Sequence, residues 1–119
     1  MKRKEILFIE DILGNILLIE KSVENLSKSK FITNKLVIDA TVRRLEIIGE
    51  AVKNISEKVK TKYPKIEWKK IAGTRDTIIH AYFSVDLDIV WNIIKFDLPI
   101  LKDKILEIEK ELKKSNQQI

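Results

Sequence analysis

The spacing of its apolar residues is the feature that most limits the fold of this chain, because they recur every three or four positions over most of its 119 residues. That period places apolar side chains along one face of an α-helix. Glycine occurs three times and proline twice, so turns are few and the elements between them are long. The chain is therefore predicted to be all-α.

Three long helices and one or two short ones are predicted. The long helices are expected from Glu5 to about Leu26, from about Asn34 to about Lys60, and from about Leu87 to Lys113. Their predicted buried faces comprise, in order, Leu7, Ile9, Ile12, Leu13, Ile16, Leu17, Ile19 and Val23; Ile38, Val42, Leu45, Ile48, Gly49, Val52, Ile55 and Val59; and Val90, Trp91, Ile94, Leu98, Leu101, Ile105, Ile108 and Leu112. Helices with one apolar face each are expected to pack as an antiparallel bundle.

The connections follow from local signals. Ser27 to Lys30 is predicted to be a loop, and a short segment lies around Trp68 to Ala72. Asp86 or Ser84 can cap the last helix. Pro99 lies inside that helix and is expected to bend it rather than end it, because the apolar period resumes after it.

The length allows one domain, predicted over residues 1–114, followed by a polar tail at 115–119. Cysteine is absent, which excludes disulfides and thiolate metal sites. The most apolar run, near the start, is interrupted by Glu5, Glu10, Asp11 and Glu20, which is too much charge for a membrane span. A cytoplasmic protein is therefore expected. The net charge of +5 would attract a polyanion such as RNA, although it is also ordinary for solubility.

The segment RDTIIHAY, residues 75–82, differs from the Lys/Glu-rich helices around it and contains the chain's only histidine. On an ideal helix, at about 100° per residue, Arg75 and Tyr82 share one stripe, and Asp76 and His80 share a neighbouring one. Ile79 falls within the same arc, which the helical wheel does not explain. The segment is predicted to form a third, two-turn helix with polar chemistry on one side.

These side chains are the parts that metal-free RNA cleavage requires. His80 can exchange a proton near neutral pH. Arg75 offers a planar set of donors to phosphate, and Asp76 can hold the imidazole or orient the guanidinium. A general base activates the ribose 2′-OH for attack on phosphorus, and the arginine stabilises the developing charge. Since one histidine cannot be both acid and base at once, a symmetric dimer would supply the second.

The residues alone leave other readings open. Arg, His and Tyr on one helix also occur as a hydrogen-bonded surface without catalytic function. Asp76 and His80, or Glu46 and Glu50, have the i, i+4 spacing of metal ligands, but a di-metal carboxylate bundle needs histidines from two helices. Glu46 and Glu50 are therefore expected to pair with Arg43, Arg44 or Lys53, and no metal or other cofactor is predicted.

Beyond the motif, longer stretches of the chain resemble one family. RDTIIHAY fits R-x-x-x-x-H-x-Y, and DATVRRLEIIGEAVKNIS, YPKIEWKKIAGTRD and YFSVDLDIVWNIIKFDLP occur around it in the family's order. Together they cover most of residues 39–99 and resemble the HepT-like toxins of the HEPN superfamily. The chain departs from the family's pattern at Thr74 and Ser84, where methionine and glycine are usual; this affects loop geometry and leaves the Arg, His and Tyr intact.

The resemblance implies a HEPN-like helical bundle that dimerises, with both motifs lining a shared cleft. It implies a metal-independent endoribonuclease toxin of a type VII-like toxin–antitoxin pair, with Arg75 and His80 catalytic and Asp76 in support. The expected partner is a minimal nucleotidyltransferase antitoxin that transfers AMP to Tyr82. An alternative is a non-catalytic helical module that docks a nucleotidyltransferase and presents substrate to it, and a third is a purely structural bundle.

Overall fold

The computed structural model describes the backbone of residues 2–73 and 87–117, and the side chains of residues 4–73 and 87–114. The predicted helix over 75–82, and the cap predicted at Asp86 or Ser84, lie outside the described residues. Every regular element within the described ranges is helical, which confirms the all-α prediction. None of these helices combines the length and the hydropathy that a membrane-spanning segment requires.

The described helices occur in the order α1 (Lys2–Val23), α2 (Lys28–Thr33), α3 (Lys35–Lys53), α4 (Glu57–Lys62), α5 (68–73), α6 (Leu87–Asn92), a π-helical turn (Ile93–Asp97) and α7 (Leu98–Gln117). The last three form one continuous rod, so the described chain has three long elements, as predicted. Helix α1 is central and packs against both α3 and α7. Arg44 of α3 reaches Asn15 of α1, and Glu5 reaches Ser56, so α1 and α3 run antiparallel.

The isoleucines of α1 form the centre of the core. Ile9, Ile12, Ile16 and Ile19 are fully buried, and each contributes roughly 1.5–3 kcal/mol relative to an exposed position. The predicted stripe of the last helix is likewise confirmed at Val90, Ile94, Leu98, Leu101, Ile105 and Ile108.

The prediction that Leu7 and Leu17 belong to the buried face of α1 is wrong, because they are 53% and 49% exposed. On the wheel, the buried isoleucines from Ile9 to Ile19 occupy an arc of about 80°, whereas Leu7 and Leu17 lie about 120° or more from its centre. Leu7 and Leu17 therefore point away from the core, although each lies next to a core position in the sequence.

The predicted second helix is in fact two helices. α3 ends at Lys53, where the Asn54 backbone N–H donates to the carbonyl of Ala51. α4 then begins after Ser56, whose hydroxyl accepts the N–H of Val59 at 3.3 Å. The Ser56 N–H is itself held by the Glu5 carboxylate, at 3.2 and 3.3 Å from its two oxygens. These contacts pair one exposed backbone group at each of the two helix ends, which lowers the cost of the break.

The predicted loop at Ser27 to Lys30 is also wrong, since Ser27 is the N-cap of α2. Its hydroxyl accepts the Lys30 N–H at 3.2 Å. The helix is anchored by Phe31, which is fully buried and lies 5.2 Å from Trp91 between ring centroids. One turn with one buried residue gives no apolar period, which is why the pattern indicates a loop there.

The helix continues through Pro99, as predicted, and the π-helical turn directly before it is the local adjustment. The Leu98 N–H donates to the carbonyl of Ile93, five residues back. In a regular α-helix the proline ring would clash with the carbonyl four residues earlier. A π-helical turn directly before a proline is the kind of local insertion by which helices absorb such a defect.

Candidate functional site

The residues predicted to form the site, Arg75, Asp76, His80 and Tyr82, all lie outside the described residues. The structure instead defines the elements on either side of them. α5 brings the chain to residue 73, and α6 starts at Leu87. α5 and α6, and the helices that pack against them, therefore determine where the two ends of the predicted site lie.

The end of α5 lies against α3 at Gly49. A Cβ atom built at Gly49 would lie 3.5 Å from the carbonyl oxygen of Ala72 and 3.6 Å from that of Ile71. These are ordinary van der Waals distances, so the end of α5 packs directly on α3 at Gly49, with room there for one further methyl group. This contact fixes the point from which the chain continues into the Arg75–Tyr82 segment.

The turn between α4 and α5 is held by a buried tryptophan. The indole N–H of Trp68 donates to the carbonyl of Tyr63 at 3.1 Å, and the backbone N–H of Ile66 donates to the same carbonyl at 3.2 Å. Ile66 and Trp68 are 5% and 8% exposed and belong to the core. α4 and α5 are thus one rigid unit that leads directly into the predicted site.

Tyr63, Lys62 and Glu111 attach this unit to α7. The Tyr63 hydroxyl donates to the Glu111 carboxylate, and Lys62 Nζ lies 3.2 Å from Glu111 Oε2. Burial, followed by the hydrogen bond to Glu111 and its charge, raises the pKa of Tyr63 well above its ordinary value. The hydrogen bond from Tyr63 and then Lys62 lower the pKa of the exposed Glu111. This cluster joins residues 48 positions apart, and no local sequence pattern indicates it.

Substitution of Glu111 by glutamine is expected to lower the pKa of Tyr63, because it removes the negative charge that opposes phenolate formation. Tyr82 is the only other tyrosine, so a spectrophotometric titration in a Tyr82→Phe background reports Tyr63 alone. Glu107→Gln is the matched control and should lower the pKa less, since Glu107 acts only through its charge. Equal titrations of the parent protein and the Glu111→Gln protein would contradict this cluster.

The same cluster sets the sign of a pH effect on stability. A raised tyrosine pKa stabilises the fold fully below the ordinary tyrosine value, and this contribution is lost as pH rises towards the raised value. The lowered pKa of Glu111 has the opposite pH dependence. It contributes to the free energy of unfolding above the ordinary carboxyl pKa, and this contribution is lost as the pH falls through the lowered value.

A groove of about 260 Å³ lies between α3, the 65–71 segment and the start of α7. Its floor is apolar, with Leu45 and Ile48 from α3 facing Leu98 and Leu101 from α7. Its rim is charged and contains Lys65, Glu67, Lys70, Asp97 and Lys104. The groove adjoins the α5 flank of the predicted site, and its floor suits an apolar group better than a phosphate.

A second cavity, of about 400 Å³, lies between α1 and α3 and is lined by Asp11, Arg43, Glu46 and Glu50, among others. Arg43 Nη1 lies 3.7 Å from Glu46 Oε2, which confirms the predicted pairing of Glu46 with an arginine. Across the described side chains, no group of three or more histidine, aspartate or glutamate residues is placed to hold a metal ion. The excess of acidic groups makes this cavity a poor site for an RNA phosphate.

A concentration of lysine residues, which the apolar pattern does not indicate, lies just before the predicted site. Residues 57–70 contain six lysines and two glutamates, a net charge of +4, while the whole chain carries +5. A local count of charge reveals this concentration, whereas the overall charge does not. The structure places this charge on the rigid α4–α5 unit that leads to the predicted catalytic segment.

Comparison with known proteins identifies the family. A model of the ribonuclease HepT-like family matches residues 12–108. A Thermococcus cleftensis protein named "probable ribonuclease HepT" is 42% identical over 110 residues, which are 92% of this chain and 100% of that protein. A Caldanaerobacter subterraneus protein named "putative RNase" is 40% identical over 101 residues, 85% of this chain and 90% of that protein.

One relative is longer. A Methanocaldococcus jannaschii protein named "gamma-glutamylcyclotransferase and putative RNase" is 43% identical over 114 residues, 95% of this chain, but the chain spans only 51% of its length. No solved structure matches the chain. The family match covers most of the chain, including the complete R-x-x-x-x-H-x-Y segment. The chain therefore belongs to the ribonuclease HepT-like family, a ribonuclease family within the HEPN superfamily.

Proposed function

We propose that this chain is a metal-independent endoribonuclease toxin in which Arg75 and His80 cleave RNA at the cleft of a homodimer. The observation that carries the proposal is the family match, which spans residues 12–108 and includes an intact R-x-x-x-x-H-x-Y segment. Relatives of nearly the same length that are named as ribonucleases support it.

The proposed reaction is an internal transesterification. His80 accepts the proton of the ribose 2′-OH, whose oxygen then forms a bond to the adjacent phosphorus. The bond from phosphorus to the 5′-oxygen breaks, and that oxygen takes a proton from the protonated histidine of the second copy. Arg75 stabilises the added charge on the phosphate oxygens. The products are a 2′,3′-cyclic phosphate and a 5′-hydroxyl end, and Asp76 positions the imidazole or the guanidinium.

The rod formed by α6, the π-helical turn and α7 offers a surface for the second copy. Ile89, Phe96 and Ile100 are 37%, 66% and 60% exposed along this rod. Large apolar side chains grouped on a surface commonly mark a protein interface. Ile89 lies seven positions after Tyr82, and a twofold axis must lie near the predicted catalytic segment if two histidines share one cleft.

We further propose that Tyr82 is the point of control. Transfer of AMP from ATP to its hydroxyl, by a minimal nucleotidyltransferase antitoxin, forms a phosphodiester and releases pyrophosphate. The adenylyl group adds bulk and a negative charge two residues from His80. That charge would compete with the RNA phosphate for Arg75, so the modified toxin would be inactive, as in a type VII-like toxin–antitoxin pair.

The test is cleavage of RNA by the purified protein in the presence of EDTA. We expect a single-stranded RNA oligonucleotide to be cut and to carry a cyclic phosphate at the new 3′ end, which mass spectrometry identifies. The matched all-deoxy oligonucleotide should remain intact because it lacks the attacking hydroxyl. RNA that stays intact, or cleavage that appears only after Mg²⁺ is added, would contradict the proposal; intact RNA would favour a non-catalytic module that docks a nucleotidyltransferase.

A further inference from the structure

The lysine-rich surface of the α4–α5 unit, residues 57–70, is here named the lysine tract. It holds six of the chain's lysines and carries a net charge of +4. Lys58, Lys62, Lys65, Lys69 and Lys70 are exposed, and only Lys60 is largely covered, with 18% of its side chain accessible. The rest of the chain carries a net charge of only about +1 by the same formal count, so this short unit dominates the protein's attraction for anions.

Internal ion pairs neutralise only part of the lysine tract. Lys60, Lys62 and Lys70 pair with Glu57, Glu111 and Glu67 at 4.0, 3.2 and 3.5 Å. Lys58, Lys65 and Lys69 form no ion pair within residues 4–73 and 87–114. Their charges do not stabilise the described fold, and they are available to an external anion.

The lysine tract is held in place, unlike a basic tail. Ser56 caps α4, and the Trp68 indole fixes the turn to α5 through the carbonyl of Tyr63. Ile66 and Trp68 anchor the unit in the core. An anion that binds here therefore does not have to order the backbone, which is the main cost when a disordered basic segment binds.

Chain connectivity places the lysine tract next to the predicted catalytic pair. Lys70 and Arg75 are five positions apart in the chain, so their Cα atoms are at most about 18 Å apart in any conformation. That distance spans a few nucleotides of an extended strand. One RNA molecule can therefore contact the lysine tract and the catalytic arginine at the same time.

The residues between the lysines indicate what the lysine tract recognises. Ile66 and Trp68 are buried, and the Tyr63 hydroxyl is bonded to Glu111 while Lys62 Nζ lies 5.9 Å from its ring centroid. No exposed aromatic platform is available within 57–70 for stacking on bases. Phosphate is the group that such cations contact without reading sequence.

We propose that the lysine tract binds the phosphate backbone of the single-stranded RNA that enters the catalytic cleft, independently of base sequence. This inference rests on the proposed function, because it takes the bound strand to be the substrate of the nuclease. The lysine tract would raise the local concentration of RNA and hold one side of the strand while Arg75 and His80 act on a nearby linkage.

The test uses the His80→Ala protein, which should bind RNA without cleaving it. Binding of a fluorescein-labelled single-stranded RNA of mixed sequence is measured by fluorescence anisotropy over a series of salt concentrations. With Lys58, Lys65 and Lys69 all changed to glutamine, we expect affinity to fall on the order of tenfold or more. The slope of log K against log salt should become shallower by about 2, at about 0.7 for each phosphate that the protein no longer neutralises.

The matched control changes Lys21, Lys30 and Lys110 to glutamine, which alters the net charge equally at exposed positions outside the lysine tract. We expect it to retain the slope of the parent protein, and both triple variants should keep its melting temperature. Equal losses of affinity in the two variants would overturn the proposal, since net charge alone would then explain binding. Unchanged RNA binding with lost binding to polyglutamate would overturn it in favour of an acidic protein partner.

These outcomes separate the lysine tract from the proposed nuclease. If the wild type leaves RNA intact but the tract variant loses affinity, the nuclease fails and the lysine tract remains an RNA-binding surface. If the wild type cleaves RNA and the tract variant binds as tightly as its parent, the lysine tract alone is refuted.

Discussion

Substitution of His80 by alanine is expected to lower the rate of RNA cleavage in EDTA by about 10²–10⁴-fold, the usual contribution of a general acid or base. His80 is the chain's only histidine, and it is the only side chain whose ordinary pKa lies near neutrality. In the proposed reaction, no other side chain has an ordinary pKa suited to both proton transfers. The measurement is single-turnover cleavage of a labelled RNA with enzyme in excess, so that weaker binding does not lower the observed rate.

Arg75→Lys serves as the companion variant because it keeps the positive charge but loses the planar pair of donors. We expect a smaller loss than for His80→Ala, since a lysine still stabilises charge but cannot contact two phosphate oxygens in the same way. Circular dichroism and melting temperature should match those of the wild type for both variants. A folded His80→Ala protein that cleaves at the wild-type rate would exclude the proposed proton-transfer role.

The long helices could be predicted because each repeats its apolar period over about 20 residues. Where the structure differs, a polar contact decides the result. The stripe of α3 continues past Lys53 without interruption, yet the helix ends there because Asn54 and Ser56 cap the two ends and Glu5 binds the Ser56 N–H. Glu5 is 51 residues away in sequence, so no local pattern could show this contact. Capping residues without Gly or Pro are easily missed inside a long apolar repeat.

The candidate site also has one part that the sequence predicts and another that depends on contacts between distant residues. The R-x-x-x-x-H-x-Y segment could be predicted from the sequence because its spacing is local, although the four residues lie outside the described ranges and their roles stay predictions. The lysine tract is also visible in the sequence, as a local excess of charge over 57–70. Its rigidity is not, because it depends on Trp68 donating to a backbone carbonyl and on Tyr63 reaching Glu111 on another helix.

Substitution of Phe31 by alanine is expected to lower the free energy of unfolding by about 3–5 kcal/mol, the usual cost of removing a buried aromatic ring. Phe31 is the one buried residue of α2, and its ring packs on Trp91 of α6 at 5.2 Å between centroids. Loss of the ring leaves a cavity and removes the aromatic contact that joins these helices. Since a domain of this size is stable by about 5–15 kcal/mol in total, this is a large fraction.

The salt bridge between the same two helices provides the contrast. Lys28 Nζ lies 2.8 Å from Asp88 Oδ1, but the two side chains are 49% and 66% exposed. Lys28→Ala should therefore cost at most about 1 kcal/mol despite the shorter distance, because solvent screens the pair. If Lys28→Ala proved as costly as Phe31→Ala, charge rather than packing would hold α2 to α6.

Leu36→Ala is the control for truncation itself, since Leu36 is 84% exposed on α3 and should change stability by no more than about 0.5 kcal/mol. Urea unfolding at one fixed protein concentration measures all three variants, and the fixed concentration matters because a dimer's stability depends on it. The consequence for function follows from the position of α6, which receives the chain directly after the predicted catalytic segment. If the Phe31→Ala protein had wild-type stability, the packing of α2 on α6 would not be what holds α6 in place after the predicted catalytic segment.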